Sequence, residues 1–292
     1  MYDCIIIGGG PSGVEAAIYL HSRGKKVLLL EQEKIGGLVS NVSTVSHYLS
    51  VDTDETGDSF AKKLENQLDF YNVNYKIEKV ISLEKQDDFL VKTDLNVYNS
   101  RSVIIACGSK RKQLGIQGEE NFKLHAKDIT EKTNKTALVA GGGDGAIKEA
   151  LYLSKFVKKV YVVEFRDGLF CIDEFKKKLE QSDNIVYISN SHIKSVSGNP
   201  INKVEIQNNE TAEIIEIVDD EILCFSYIGQ IPDLDFVKVD LPLKDGFIDT
   251  DIATNIEGLY ISGDVRVKNI RQVATAVSDG VVAAVLASNY LG

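Results

Sequence analysis

Three glycines near the start of the chain have the spacing of a phosphate-binding turn. Gly8, Gly10 and Gly13 form the pattern G-x-G-x-x-G, and Glu31 follows at the end of the next apolar run. In such a turn the first glycine permits a tight bend, the second lets a pyrophosphate approach the backbone, and the third lets a helix pack closely on a strand. A carboxylate at the end of the second strand accepts hydrogen bonds from a ribose. These residues therefore predict a dinucleotide site.

The pattern returns in the middle of the chain. Gly141 and Gly143 are followed by Ala146 in the third small position, and Glu164 ends the next apolar run. Two such units predict two dinucleotide sites, and a flavin with a nicotinamide is the pair that they suggest. A carboxylate at Glu164 would accept hydrogen bonds from a free 2′-hydroxyl and repel a 2′-phosphate, which favours NADH over NADPH. Arg166 keeps NADPH open as an alternative, and a second glycine turn that serves only packing, with no nicotinamide bound, is a further one.

The cysteines lack the spacing of a redox or metal motif. They are Cys4, Cys107, Cys171 and Cys224, and no two are close neighbours in the sequence. Dithiol exchange needs an attacking thiolate and a resolving thiol within reach of each other. Each cysteine is therefore expected to be a small buried side chain in a reducing compartment. No histidine pair has metal-ligand spacing, so the sequence predicts no metal, and no side chain is assigned as a catalytic nucleophile.

The elements that position these residues form two strand–helix–strand units. In the first unit we expect a strand at Ile5–Ile7, a helix at Val14–His21 and a strand at Val27–Leu30. The second unit repeats this order with Ala137–Ala140, Ile147–Phe156 and Val160–Val163. Short apolar strands without polar alternation are typical of parallel sheets buried on both faces. The predicted fold class is α/β, with two Rossmann-like three-layer dinucleotide-binding domains, the second inserted in the first.

The inserted arrangement sets the predicted domain boundaries. We expect a FAD-binding domain over 1–113 and 242–292, with an NAD(P)-binding-like domain over 114–241 between its two parts; the return of 242–292 to the first domain and the assignment to FAD are what the family resemblance described below implies. An antiparallel meander is expected to adjoin the first sheet, formed by Asn74–Leu83, Phe89–Thr93 and Asn96–Tyr98.

Charge and hydropathy exclude several classes of protein. The chain has 33 Lys and Arg against 43 Asp and Glu, a formal net charge of −10. This balance lacks the basic excess of a nucleic-acid-binding protein. Apolar stretches such as Val281–Ala287 are far shorter than the roughly 20 residues of a membrane span, so no membrane is expected. Met1 leads directly into an apolar strand without a basic segment, and a cytoplasmic location is therefore expected.

Five segments carry a family resemblance that covers nearly the whole chain. They resemble low-molecular-weight thioredoxin reductases and related pyridine nucleotide-disulfide oxidoreductase-like flavoproteins: Ile35–Ser50, Val103–Ser109, Leu114–Glu119, Gly141–Leu151 and Gly258–Ala276. The resemblance implies a bound FAD, and the last segment is the most specific part. By this resemblance Asp264 would bind the ribityl chain, and the backbone of Arg271–Val273 would meet the pyrimidine edge of the flavin.

The resemblance and the glycine patterns together give the predicted cofactor-contacting residues. For FAD they are Gly8, Gly10, Pro11, Ser12, Gly13, Glu31, Gly36, Gly37, Leu38, Cys107, Gly108, Gly263, Asp264, Arg271, Gln272 and Val273. For NADH or NADPH they are Gly141, Gly143, Asp144, Gly145, Ala146 and Glu164.

The chain departs from the resembled family at the place where the redox disulfide belongs. Thioredoxin reductases carry a C-x-x-C pair after the segment that resembles Leu114–Glu119 and before the second glycine turn, but here that stretch, Asn121–Thr136, contains no cysteine and is short. Glutathione-reductase-like enzymes place their pair in the first domain, yet Ile35–Val42 contains none either. Thioredoxin reduction is therefore not expected.

These observations predict an FAD-dependent oxidoreductase that passes electrons between the flavin and NAD(P)H or a carrier protein such as ferredoxin or flavodoxin. Three basic clusters could attract an acidic carrier; they are Lys110–Lys112, Lys155 with Lys158 and Lys159, and Lys176–Lys178. A homodimer is implied by the resemblance. The alternative is a non-catalytic flavin- or nucleotide-binding sensor or regulatory protein.

Overall fold

The computed structural model describes residues 1–292 and divides the chain into two units. The first unit contains Met1–Lys110 and Ile231–Gly292, and the second contains Arg111–Gln230. The predicted boundaries at 113/114 and 241/242 thus fall at 110/111 and 230/231. The second boundary moves further because Val237 bridges to Leu83 and Leu241 is buried in a core of the first unit.

The chain forms eighteen strands and five α-helices. The strands are β1 Tyr2–Ile7, β2 Val27–Glu31, β3 Tyr75–Ile77, β4 Val80–Lys85, β5 Phe89–Thr93, β6 Val97–Ile105, β7 Lys110–Arg111, β8 Thr136–Ala140, β9 Lys159–Val163, β10 Ile185–Ile188, β11 Ser191–Ser197, β12 Lys203–Asn208, β13 Ile214–Val218, β14 Ile222–Ser226, β15 Gln230–Ile231, β16 Leu243–Lys244, β17 Phe247–Ile248 and β18 Leu259–Ile261. The helices are α1 Pro11–Ser22, α2 Gly57–Phe70, α3 Asp144–Leu153, α4 Asp173–Glu180 and α5 Val273–Leu291. Short 3₁₀ turns lie at Gly37–Asn41, Glu119–Asn121, Ala126–Asp128 and Gly263–Val265.

The first unit is built on a seven-stranded sheet in the order β3-β2-β1-β6-β5-β4, with β18 also paired to β6. Strands β3, β2, β1, β6 and β18 are parallel, whereas β4 and β5 continue from β6 as an antiparallel extension. The single strand predicted at Asn74–Leu83 is wrong, since it divides into β3, parallel to β2, and β4, antiparallel to β5. Along β1, Ile6 packs towards α1 and α5, while Ile5 and Ile7 pack towards β4 and β5.

The second unit repeats the same three-layer plan. Its parallel sheet has the order β10-β9-β8-β14. Residues of β8 alternate, with Ala137 and Val139 packed towards α3 and α4, and Leu138 and Ala140 packed towards the antiparallel sheet β11-β12-β13. In both units helices cover one face of a parallel sheet and antiparallel strands contribute to the core on the other face, as an extension of the same sheet in the first unit and as a separate sheet in the second. This arrangement confirms the predicted fold class.

Helix α5 packs directly against α1 in the first unit. By length and hydropathy alone α5 could cross a membrane, but its small residues Ala283, Ala284 and Ala287 are buried in the core that contains α1. Gly280 permits the closest approach, because a Cβ atom at this position would lie 2.4 Å from the Ser12 carbonyl oxygen. This helix pair places Gly280 of α5 against the first turn of α1.

We predict that Gly280→Ala destabilises the protein even though alanine is the better helix former. Intrinsic propensity would stabilise the helix by about 1 kcal/mol. Overpacking against the α1 backbone costs about 1–3 kcal/mol or more and should dominate. Thermal unfolding followed by circular dichroism should show a lower Tm, whereas Ser278→Ala on the exposed face of α5 should leave it nearly unchanged. A higher Tm for Gly280→Ala would contradict this packing.

Candidate functional site

The first glycine turn leaves one side of its backbone open. Gly8 has a φ of +112°, and a Cβ there would lie 2.4 Å from the Ala106 carbonyl oxygen. At Gly13 a Cβ would lie 1.9 Å from the Gly8 oxygen, so the start of α1 presses on the turn. Around Gly10, in contrast, a Cβ would meet no atom within 4 Å. The turn therefore offers a phosphate direct access to its backbone at the N-terminus of α1, where Pro11 is the first helical residue.

Glu31 lies at the end of β2 and is connected to this turn. Its side chain is buried, and its Oε2 accepts a 2.6 Å hydrogen bond from the Gly9 amide, while Oε1 accepts one of 3.0 Å from the Glu33 amide. Burial raises the pKa of the Glu31 carboxyl, and the backbone donors oppose this shift. Such a carboxylate is positioned to accept hydrogen bonds from the ribose hydroxyls of a ligand at the edge of the turn.

The segment Gly36–Leu38 lies against the same turn. The Gly36 amide donates a 2.8 Å hydrogen bond to the Gly9 carbonyl. A Cβ at Gly37 would approach the Gly10 Cα to 3.3 Å. The structure therefore brings this predicted segment together with the first glycine pattern.

The loop after β18 brings a further carboxylate to the first turn. The Ser262 and Ser12 hydroxyls lie 2.6 Å apart, and a Cβ at Gly263 would lie 3.0 Å from the Ser12 Cβ. Next to them, the buried Oδ1 atom of Asp264 has no hydrogen-bond partner. Burial raises the pKa of the Asp264 carboxyl. A buried acceptor without a donor is costly, so this oxygen is well suited to a hydroxyl-bearing ligand.

Arg271, Gln272 and Val273 lie where α5 begins. Gln272 is the N-cap, and Val273 is the first helical residue. The Arg271 guanidinium carbon lies 4.1 Å from the centre of the Phe247 ring, and its Nε is buried without a hydrogen-bond partner. The helix start and the guanidinium together give this end of α5 a positive electrostatic character.

Cys107 and Gly108 follow the end of β6. The Cys107 thiol lies 3.9 Å from the Asp233 carbonyl oxygen, and burial raises its pKa to about 12. Gly108 has a φ of +63°, which an L side chain rarely adopts, and a Cβ there would meet no atom within 4 Å. These two residues continue from Ala106, whose carbonyl oxygen approaches Gly8.

The second glycine turn copies the first in detail. Gly141 has a φ of +109°, and a Cβ there would lie 2.5 Å from the Tyr227 carbonyl oxygen, as Gly8 approaches Ala106 in the first unit. Gly143 matches Gly10, since a Cβ there would also meet no atom within 4 Å. Ala146 is buried in the position of Gly13. The turn therefore keeps an open backbone side at the N-terminus of α3.

Asp144 and Gly145 have different roles in this second turn. The Asp144 carboxylate accepts a 2.8 Å hydrogen bond from the Ile172 amide, so it ties the helix start to the following loop. Gly145 is exposed, with open space where a Cβ would lie.

Glu164 occupies the position of Glu31 in the second unit, but its electrostatic environment differs. Its Oε2 accepts a 2.6 Å hydrogen bond from the Gly142 amide, and Oε1 accepts hydrogen bonds from the Arg166 amide and Nε. Burial would raise the pKa of the Glu164 carboxyl, but Arg166 and the backbone donors outweigh it and lower the pKa. The first unit has Glu33 where this unit has Arg166: burial, with a small contribution from Glu33, raises the pKa of Glu31, whereas the hydrogen bonds and charge of Arg166 lower the pKa of Glu164.

One charged network at this site was not predicted. Asp279 of α5 accepts hydrogen bonds from the Gly263 amide, Arg266 and Lys268. Asp279 is the single charged residue in the helix Val273–Leu291, and that exception in an apolar helix is the signal that could have revealed it.

Two three-layer units, each with a glycine turn and a terminal carboxylate, define an α/β protein of the two-dinucleotide-domain class. The family model described as pyridine nucleotide-disulphide oxidoreductase matches residues 2–280. The chain belongs to this family.

Relatives and solved structures agree with this assignment. The chain is 32% identical over 308 residues to the thioredoxin reductase of Peptoclostridium acidaminophilum, with 100% of this chain and 97% of that protein covered. It is 34% identical over 306 residues to the 34.2 kDa protein in the rubredoxin operon of Clostridium pasteurianum, with 99% and 97% covered. The crystal structure of Lactococcus lactis thioredoxin reductase in its FR conformation matches with a TM-score of 0.93 and 32% identity, covering 100% of this chain and 99% of that one.

The family assignment confirms the predicted cofactor classes. Members related to thioredoxin reductase are flavin-dependent oxidoreductases that bind FAD and use NADPH. The first unit fits FAD, because it offers an open backbone at Gly10, a buried carboxylate at Glu31 and the unpartnered oxygen of Asp264.

We predict that Gly10→Ala yields a folded protein that has lost most of its flavin. The residue has a φ of −73°, which alanine adopts readily, but the new methyl group would occupy the approach path of the pyrophosphate. The dissociation constant for FAD, measured by fluorescence titration of the apoprotein, should rise at least about tenfold.

The matched control is Gly143→Ala in the second turn. This variant should bind FAD as the wild-type protein does and lose affinity for the pyridine nucleotide instead. Full flavin occupancy in Gly10→Ala would show that the first turn does not hold the cofactor.

Proposed function

We propose that the protein is an FAD-dependent oxidoreductase that works without a redox disulfide. The observation that carries this proposal is the placement of the four cysteines, all of which are free. In the first unit, Cys4 packs on the helix side of the sheet and Cys107 on the opposite side. In the second unit, Cys171 lies on the helix side and Cys224 on the opposite side. Each sheet thus separates the two thiols of its unit.

The thiols are also poor nucleophiles. Burial raises the pKa of Cys4, Cys107 and Cys224 to about 12, and it raises the pKa of Cys171. The thiolate is the reactive form of a cysteine. Because these pKa values are raised, almost no thiolate is present at neutral pH. This supports chemistry at the cofactor rather than at sulfur.

The protein's own residues would bind and orient the cofactors. Bound FAD supplies hydride acceptance and electron transfer. Gly10 and Glu31 would hold the adenosine diphosphate part of FAD. Asp264 would accept a hydrogen bond from a ribityl hydroxyl, and the N-terminus of α5 would stabilise negative charge on the flavin ring. No side chain is required as a nucleophile.

The second unit would bind the pyridine nucleotide, with Glu164 favouring NADH. The buried carboxylate would repel a 2′-phosphate, and Arg166 is engaged by Glu164 through its Nε and stacks 3.7 Å over the Phe170 ring. The one cation near this carboxylate is therefore already paired, which supports selection of a free 2′-hydroxyl.

An electron carrier such as ferredoxin or flavodoxin is the proposed partner, in a homodimeric enzyme located in the cytoplasm. The relative named for a rubredoxin operon supports a small redox protein as partner. The basic clusters give weaker support, because each has a lysine paired with the chain's own acids: Lys110 with Asp233, Lys158 with Asp219, and Lys176 with Asp173.

Anaerobic stopped-flow mixing tests this function. NADH, NADPH and reduced ferredoxin are mixed in turn with the FAD-loaded protein, and the visible flavin absorbance is followed. Bleaching by at least one donor within catalytic times is expected. If none bleaches the flavin, the protein is a flavin-binding sensor rather than an oxidoreductase.

We predict that a variant with all four cysteines replaced by alanine or serine keeps the wild-type rate of flavin reduction. The replaced thiols take no part in electron transfer in this proposal. The rate with NADH should stay within about twofold, and neither protein should reduce thioredoxin, with Lactococcus lactis thioredoxin reductase as the positive control. Loss of flavin reduction in a folded, FAD-loaded variant would overturn the proposal.

We predict that Glu164→Gln shifts the nucleotide preference towards NADPH. Removing the charge abolishes the repulsion of the 2′-phosphate and releases the Arg166 guanidinium to bind it. The ratio of kcat/KM for NADPH to that for NADH should rise at least about tenfold, or about 1.4 kcal/mol. Asp167→Asn removes a charge from an exposed neighbour and should leave the ratio unchanged; an equal shift in both variants would contradict a specific role for Glu164.

A further inference from the structure

A half-buried ion network joins the loop after β18 to helix α5. The Asp279 side chain is 16% exposed, and its Oδ2 accepts hydrogen bonds from the Gly263 amide at 3.1 Å, Arg266 Nη1 at 3.3 Å and Lys268 Nζ at 3.1 Å. Three donors on one carboxylate oxygen fix the loop backbone and two cations relative to the helix. An isolated ion pair on the surface is screened by solvent and holds its side chains in place much less firmly.

Lys268 connects this network to the proposed cofactor ligand. Its side chain is 13% exposed, and its ammonium lies 3.1 Å from Asp279 and 3.7 Å from Asp264 Oδ1. The distance of 3.7 Å to Asp264 Oδ1 is too long for a hydrogen bond. The lysine therefore offsets the negative charge of Asp264 and leaves Oδ1 able to accept a hydrogen bond from a ligand. Asp264 Oδ1 consequently stays buried and without a hydrogen-bond partner.

The charged groups around Asp264 act in opposite directions. Burial raises the pKa of its carboxyl, Lys268 and Arg271 from the same loop lower it, and Asp279 from α5 raises it. Of the two cations, Lys268 lowers the pKa of the Asp264 carboxyl more than Arg271 does. Without it, the Asp264 carboxyl would become protonated at a higher pH.

We propose that Lys268 and Asp279 are positioning residues of the cofactor site. Asp279 fixes the loop Gly263–Lys268 on α5, and Lys268 holds the charged Asp264 carboxylate ready for a hydroxyl of the ligand. This inference rests on the proposed binding of FAD in the first unit. A hydroxyl bound to a carboxylate is held more strongly than one bound to a neutral carboxyl, so the lysine sets the affinity without contacting the cofactor.

The test is the pH dependence of FAD affinity in Lys268→Met. Apoprotein is titrated with FAD between pH 6 and 8.5, and flavin fluorescence gives the dissociation constant. Without Lys268 the pKa of the Asp264 carboxyl rises, so on acidification the dissociation constant should begin to increase at a higher pH in Lys268→Met than in the wild-type protein. Lys268→Arg and the exposed control Lys244→Met should follow the wild-type curve.

A second variant assigns the titration to its group. In the double variant Lys268→Met with Asp264→Asn, the pH dependence should disappear, because the titrating carboxyl is gone. A folded Lys268→Met protein with the wild-type affinity at every pH would overturn the inference while leaving the proposed function intact. A loss of affinity that is equal at all pH values and not restored by Lys268→Arg would also overturn it. If the wild-type protein binds no FAD, the proposed function fails and this inference fails with it.

Discussion

Both units depend on one close approach of backbone segments, the contact between the glycine turn and the helix that follows it. In the first unit a Cβ at residue 13 would lie 1.9 Å from the Gly8 oxygen, and Gly8 itself lies against the backbone of Ala106, just after β6. These contacts leave no room for side chains on the inner side of the turn. The outer side at Gly10 stays open at the N-terminus of α1, where the amide groups and helix dipole favour a phosphate. The second unit meets the same constraint with Gly141 and a buried Ala146.

The chain combines a complete frame for two dinucleotides with an arrangement of thiols that cannot form a dithiol within either unit. The two ribose-type carboxylates have kept the same contact to their turns, from the Gly9 and Gly142 amides. Their surroundings differ, since Arg166 pairs with Glu164 and no cation pairs with Glu31 in the same way. In the proposed function, this shared scaffold with distinct local charges would let the first unit hold the flavin and the second bind the pyridine nucleotide.

The parts of the fold and site that follow from local spacing could be predicted from the sequence. The glycine turns and the carboxylates Glu31 and Glu164 fall where expected because strand, turn and helix are adjacent in the chain. The boundary at 230/231 could not be read from local pattern, because it depends on the bridge of Val237 to Leu83 across the first unit. The hydrogen bonds of Asp279 could not be predicted either. Its partners lie in the loop Gly263–Lys268, which meets Asp279 only when the loop and α5 are folded together.

The number of electrons that the protein accepts per FAD distinguishes a flavin that works alone from a flavin coupled to a redox-active disulfide. An anaerobic titration with dithionite, followed by flavin absorbance, counts these electrons without reference to any physiological partner. A flavin alone accepts about two electrons, and a flavin with a redox-active disulfide accepts about four. We expect about two electrons per FAD in the wild-type protein. Uptake of about four, with new thiols appearing on reduction, would show that two cysteines do form a redox pair and would contradict this expectation.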